Sequence, residues 1–115
     1  LIGVSRSRPD QLNHKADVQV HWVEANLAEP AKAAQAIEAS VAESGLDTLI
    51  YNLGIWEEFA FDPAYHFLAD SDEQLEAIVT CNITSTLLLI KRLLPVLLNS
   101  ANPRIILTGS TSGLP

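Results

Sequence analysis

Hydrophobic and polar positions along this chain alternate between strand-like and helix-like periods. Leu1 to Ser5 is a short apolar run, the pattern of a buried strand. Val18 to Val23 alternates closely enough for a second strand. Ala31 to Ser44 is rich in alanine and good helix formers. Pro30 suits its first helical position, and Gly45 suits the terminating position, where positive φ is needed. Leu46 to Tyr51 predicts a third strand. Ser71 opens a helix, with Gln74 three residues on as its capping-box partner. Leu75, Ile78, Val79, Ile83, Leu87, Ile90 and Leu94 then recur at helical spacing and carry the predicted helix to Leu98. Pro95 removes a donor and crowds the carbonyl of Lys91, so a kink or fraying is expected there. Arg104 to Leu107 predicts a fourth strand. Ser5 to Lys15 reads as a polar loop with a helical turn, and Ile55 to Asp70 as a long irregular segment. Strands alternating with helices predict an α/β chain built from parallel crossover units.

Composition narrows the function classes. A length of 115 residues allows at most one domain, and residues 1–115 are expected to form a single partial one. Hydrophobic residues make up 48%, too many for a disordered chain. A net charge of −7 argues against non-specific binding to nucleic acid or to an anionic membrane. No stretch of about 18 uninterrupted apolar residues occurs, so no spanning helix is expected. The single cysteine, Cys81, excludes an internal disulfide framework and fits a reducing, cytoplasmic setting. His14, His21 and His66 lack metal-ligand spacing with each other or with Cys81, so no metal is assigned. Asn82-Ile83-Thr84 matches a glycosylation sequon, but it lies inside the predicted helix rather than in a surface loop.

Three segments occur in a telling order: Asp47-Thr48-Leu49-Ile50-Tyr51-Asn52-Leu53-Gly54, then Asn82, then Arg104-Ile105-Ile106-Leu107-Thr108-Gly109-Ser110-Thr111-Ser112-Gly113. Each outer segment is an apolar strand ending in a small polar loop. That places polar groups at the carboxyl ends of two strands, where open α/β sheets bind ligands. The trio resembles the middle of a short-chain dehydrogenase/reductase. The resemblance implies a doubly wound, Rossmann-like parallel sheet with strand order 3-2-1-4-5-6, and identifies the four strands here as the second to fifth. The first strand, which would pair with both the second and the fourth, is not among these residues. Two strand pairs would then be left with open edges, a costly arrangement. The expectation is a stretch of a longer chain, or one completed by a partner.

The resemblance also assigns roles. Ser110 would be the catalytic serine, donating to a substrate carbonyl rather than acting as a nucleophile, since no Gly-x-Ser-x-Gly elbow occurs. Its plainer reading is a polar turn, with Thr111 and Ser112 as register alternatives. Asn82 would help position a proton-relay water; alone, it reads as a satisfied core polar group. Tyr51-Asn52-Leu53-Gly54 resembles the Asn-Asn-Ala-Gly loop of the family, with Tyr51 and Leu53 as departures. Asn52, Leu53 and Gly54 would line the cofactor ribose. Ser5 stands where an acid would hold the ribose 2′-hydroxyl, and Arg6 follows it. That combination favours a 2′-phosphate, hence NADP over NAD. Otherwise Ser5 to Arg8 is a solvated basic turn. Asn26 stands near the position of an adenine-side aspartate, or simply caps its loop.

Ile55 to Asp70 holds five of the seven aromatic residues, Trp56, Phe59, Phe61, Tyr65 and Phe67. It reads as a lid or wall for a bulky apolar substrate, or equally as a hydrophobic cover or subunit contact. The long helix is apolar around much of its circumference, which predicts a homodimer or homotetramer built on residues 71–98. The glycine-rich phosphate loop and the Tyr-x-x-x-Lys pair of the family do not occur within these residues. This stretch alone is therefore expected neither to hold a dinucleotide tightly nor to catalyse. The function implied is reversible hydride transfer between NADP(H) and a small carbonyl or secondary-alcohol substrate. The alternatives are a non-catalytic dinucleotide-binding relative and an inactive truncated product.

Overall fold

The computed structural model describes residues 1–10 and 19–110. The chain forms β1 (Ile2–Ser5), β2 (His21–Glu24), α1 (Pro30–Val41), β3 (Thr48–Tyr51), α2 (Asp72–Val79), α3 (Ser85–Leu97) and β4 (Arg104–Leu107). A five-residue π turn, Thr80–Thr84, joins α2 to α3, and one short 3₁₀ turn, Phe67–Ala69, precedes α2. The helical turn expected within Ser5 to Lys15 falls largely outside the described residues.

Local chemistry accounts for most of the boundaries. Pro30 occupies the first turn of α1, where its missing N–H costs nothing. Gly45 has a φ of +73° and ends the segment that follows α1, a conformation that side chains resist. Ser71 and Gln74 form the reciprocal capping box: the Gln74 amide donates to Ser71 Oγ at 3.2 Å and the Ser71 amide to Gln74 Oε1 at 2.9 Å.

The strands pair as two parallel couples, β1 with β2 and β3 with β4. Among the described residues no ladder joins the couples. Both couples rest on the same two helices. Leu89, Leu93 and Leu97 of α3 recur every four residues and pack with Ala34, Ile37 and Val41 of α1 and with Leu49 and Tyr51 of β3. Ile2, Val4 and Val23 join from the other couple. Alanine at positions 33 and 34 lets the helices approach closely, and Arg92 donates to Glu38 across them at 3.0 Å. Burying each leucine contributes about 1.5–3 kcal/mol. Away from the helices the sheet is open: Ile50 and Ile106, opposite one another in the register, are both exposed.

The helix expected from Ser71 to Leu98 exists, but the π turn interrupts it at its middle. Pro95 lies inside α3, which runs on to Leu97. By length and composition alone, residues 72–97 are long and apolar enough to cross a bilayer, although charges interrupt the run. Their buried leucines are instead core side chains packed on α1.

Candidate functional site

The end of the β3–β4 couple builds the site. The Arg104 amide donates to the Asp47 carbonyl at 2.9 Å, and the Thr108 amide donates to the Tyr51 carbonyl at 3.0 Å. These bonds extend the ladder past both ends of the strands. They hold Asn52-Leu53-Gly54 beside Thr108-Gly109-Ser110. A pocket of about 420 Å³ opens between the two loops, within the roughly 300–1,000 Å³ range of small-molecule sites. Asn82 and Thr86 form its wall from the helix side, and Ile55 and Trp56 from the loop beyond Gly54.

Asn82 is half-buried and makes a two-bond clamp. Its Oδ1 accepts from the Ile55 amide, and its Nδ2 donates to the Ile55 carbonyl, both at 2.8 Å. Its own carbonyl accepts from Thr86 Oγ1 at 2.9 Å. The side chain thus fixes the loop that follows Gly54. A Cβ at Gly54 would lie 3.9 Å from Asn82 Oδ1, an ordinary contact. Tyr51 is buried at the end of β3, and its hydroxyl donates to the Cys81 carbonyl at 2.8 Å. Nothing in the residue pattern points to this bond, since Tyr51 differs from the family's motif without indicating a partner. The clamp on Ile55 could have been sought, because a polar side chain on an apolar helix face needs a partner.

The remaining sequence-predicted residues gather elsewhere. Ser5, Arg6 and Asn26 lie at the carboxyl end of the β1–β2 couple, where the Ala25 amide donates to the Ser5 carbonyl at 2.9 Å. Ser5 Oγ donates to the carbonyl of Ser7, and Arg6 is exposed. Asn26 Oδ1 accepts from the Ala28 amide at 3.1 Å, the loop-capping arrangement. Thr111, Ser112 and Gly113 lie outside the described residues. Among the described residues no cluster of three or more histidine, cysteine, aspartate or glutamate side chains could hold a metal.

Of the five aromatic residues in the 55–70 segment, Trp56 alone lines the pocket. Phe61 meets its ring edge-on, with centroids 6.1 Å apart and planes at 64°. Gln74 Nε2 donates to Glu58 at 3.0 Å and ties the segment to the start of α2. The Tyr65 hydroxyl donates to Asp70 Oδ2 at 2.6 Å. That bond, with a smaller contribution from burial, pushes the Tyr65 phenol up to about 12.

A profile of the short chain dehydrogenases matches residues 4–115. The chain belongs to the short chain dehydrogenase family. Solved structures agree on the fold. A Pseudomonas syringae protein assigned to the short chain dehydrogenases superposes with a TM-score of 0.81 at 24% identity, covering 97% of this chain and 48% of its own. L-sorbose reductase from Gluconobacter frateurii, solved with NADPH and L-sorbose, gives 0.79 at 23% identity, with 98% and 43% covered. A 3-oxoacyl-[acyl-carrier protein] reductase from Brucella melitensis gives 0.78 at 18% identity, with 99% and 48% covered. No curated protein sequence matches. The short chain dehydrogenase chain described here spans just under half the length of these structures. Its parallel couples and flanking helices are those of an incomplete doubly wound, Rossmann-like fold.

Proposed function

We propose that the protein containing this chain transfers hydride reversibly between NADP(H) and a small carbonyl or secondary-alcohol substrate, and that it works in the cytoplasm. The observation that carries this is the pocket where Asn52, Gly54, Asn82 and Ser110 converge at the ends of two parallel strands. Its donor set suits a ribose and a polarised carbonyl: an exposed asparagine amide, serine and threonine hydroxyls and glycine-lined backbone. When bound, the nicotinamide supplies the hydride acceptor or donor. The side chains here do the rest. Ser110 Oγ donates to the substrate oxygen and stabilises the negative charge that develops on it. Asn82 fixes the loop whose residues Asn52, Leu53 and Gly54 face the ribose. Arg6, exposed beside Ser5, would take the 2′-phosphate through paired donors. Val79, Ile83, Leu87, Leu94 and Leu98 leave an exposed apolar stripe along the long helix, which supports a homodimer or homotetramer built on that face.

The test is a fluorescence titration of the intact protein with NADPH and with NADH, followed by a panel of carbonyl substrates. NADPH should bind at least about tenfold more tightly, and Arg6→Ala should erase that preference. Ser110→Ala should lower kcat by about 10²-fold or more while leaving NADPH affinity in place. NADPH binding without turnover of any carbonyl would instead identify a non-catalytic dinucleotide binder.

A further inference from the structure

In an α-helix the Ser85 amide donates to the carbonyl four residues back, that of Cys81. Here it donates one residue further back, to Thr80. The π turn therefore deprives the Cys81 carbonyl of its regular partner. Cys81 is buried, and a buried carbonyl without a donor is costly. The missing donor comes from β3, thirty residues earlier in the chain: Tyr51 Oη lies 2.8 Å from that oxygen. The next carbonyl, that of Asn82, accepts from Thr86 Oγ1 at 2.9 Å. Two successive carbonyls of the turn are thus met by side-chain hydroxyls.

The Tyr51 ring is buried in the same cluster as Leu49 and the α3 leucines, which restricts where its hydroxyl can go. The extra residue in the turn matters for direction. Each helical residue advances about 100° around the axis, so closing the π turn to a regular α turn would rotate α2 relative to α3 by about that amount, and Asn82, at the middle of the turn, by part of it. Its clamp on Ile55, two bonds of 2.8 Å, would not survive such a rotation.

We propose that the Tyr51 hydroxyl latches the π turn open and so positions Asn82, and through it the Ile55 loop, at the pocket. Tyr51 is a positioning residue acting through Asn82. Its catalytic consequence rests on the oxidoreductase reading above; its structural consequence does not. Without the hydroxyl, the cheapest repair for the Cys81 carbonyl is to recapture the Ser85 amide, which closes the turn.

The test is Tyr51→Phe in the intact protein, which keeps the ring. Amide exchange at Ile55 should accelerate about tenfold or more while amides of α1 stay as they were, because the opening is local. The value of kcat should fall about tenfold with the KM for NADPH within about twofold, and Tyr51→Phe should cost nothing further in an Asn82→Ala background, since coupled residues are not additive. Unchanged exchange at Ile55, acceleration that extends through α1, or losses that multiply in the double variant would each overturn the latch. Should the unaltered protein reduce no carbonyl, the oxidoreductase reading falls, and Ile55 exchange still decides the role of Tyr51.

Discussion

Replacing Asn82 by aspartate separates the two bonds of the clamp. Asn82→Asp preserves shape and keeps the acceptor facing the Ile55 amide. The other oxygen replaces Nδ2, and at neutral pH it confronts the Ile55 carbonyl across the 2.8 Å that a hydrogen bond now spans. One net hydrogen bond is lost, about 1 kcal/mol, and one carbonyl is stranded, about 1–3 kcal/mol. Asn82 is half-buried, so water relieves part of this and the lower end applies, about 2 kcal/mol. Protonation restores a donor: the carboxylic acid then mimics the amide bond for bond. The folded state therefore favours the protonated form and the folded pKa of the new carboxyl is raised. Its clamp contribution is present below the unfolded carboxyl pKa and lost as pH rises through the folded one. Urea unfolding of the intact protein at pH 7 and again near pH 4.5 measures the difference against the unaltered protein, matched at each pH. The deficit should shrink from about 2 to under about 1 kcal/mol on acidification, while that of Asn82→Ala should not change. A deficit below about 0.5 kcal/mol at pH 7, or one that ignores pH, would show that the Ile55 bonds do not hold the loop.

Two other predictions concern the aromatic segment. Trp56→Ala should shift kcat/KM between small and bulky carbonyl substrates by about tenfold, the scale of a few lost apolar contacts; equal effects on substrates of every size would remove Trp56 from the pocket wall. Ultraviolet titration should find one phenol ionising near 12, the Tyr65 value, and Tyr65→Phe should abolish that late step. Because the folded pKa is raised, the Tyr65–Asp70 bond supports the folded state fully below about 10 and is lost as pH rises toward 12.

Where a single residue type enforces local geometry, the sequence was readable. The Ser71–Gln74 box, the proline start of α1, the positive φ at Gly45 and the span of β4 all appear as expected. The strand β2 is displaced: alternation predicts Val18 to Val23, whereas the ladder runs from His21 to Glu24, where β1 offers partners. Periodicity could not show the π turn, because Val79, Ile83 and Leu87 keep their apolar spacing through it. Its cause is tertiary, a hydroxyl arriving from β3. For the site, the order of Asn52, Asn82 and Ser110 anticipated one pocket. The partners of Asn82 and Asn26 lay in backbone that spacing does not report.

The two strand couples also differ in the time they take to find one another. Ile2 meets His21 across 19 positions, whereas Thr48 meets Arg104 across 56. Loop-closure entropy grows by about 0.6 kcal/mol per doubling, so the second pairing starts about 0.9 kcal/mol behind, roughly a fivefold handicap in rate. The chain that this pairing must close also carries α2 and α3. The β1–β2 couple can therefore zip early, and the β3–β4 couple, which carries the pocket, closes late. A lesion that slows docking of the long helix would spare the first couple and delay the appearance of the site.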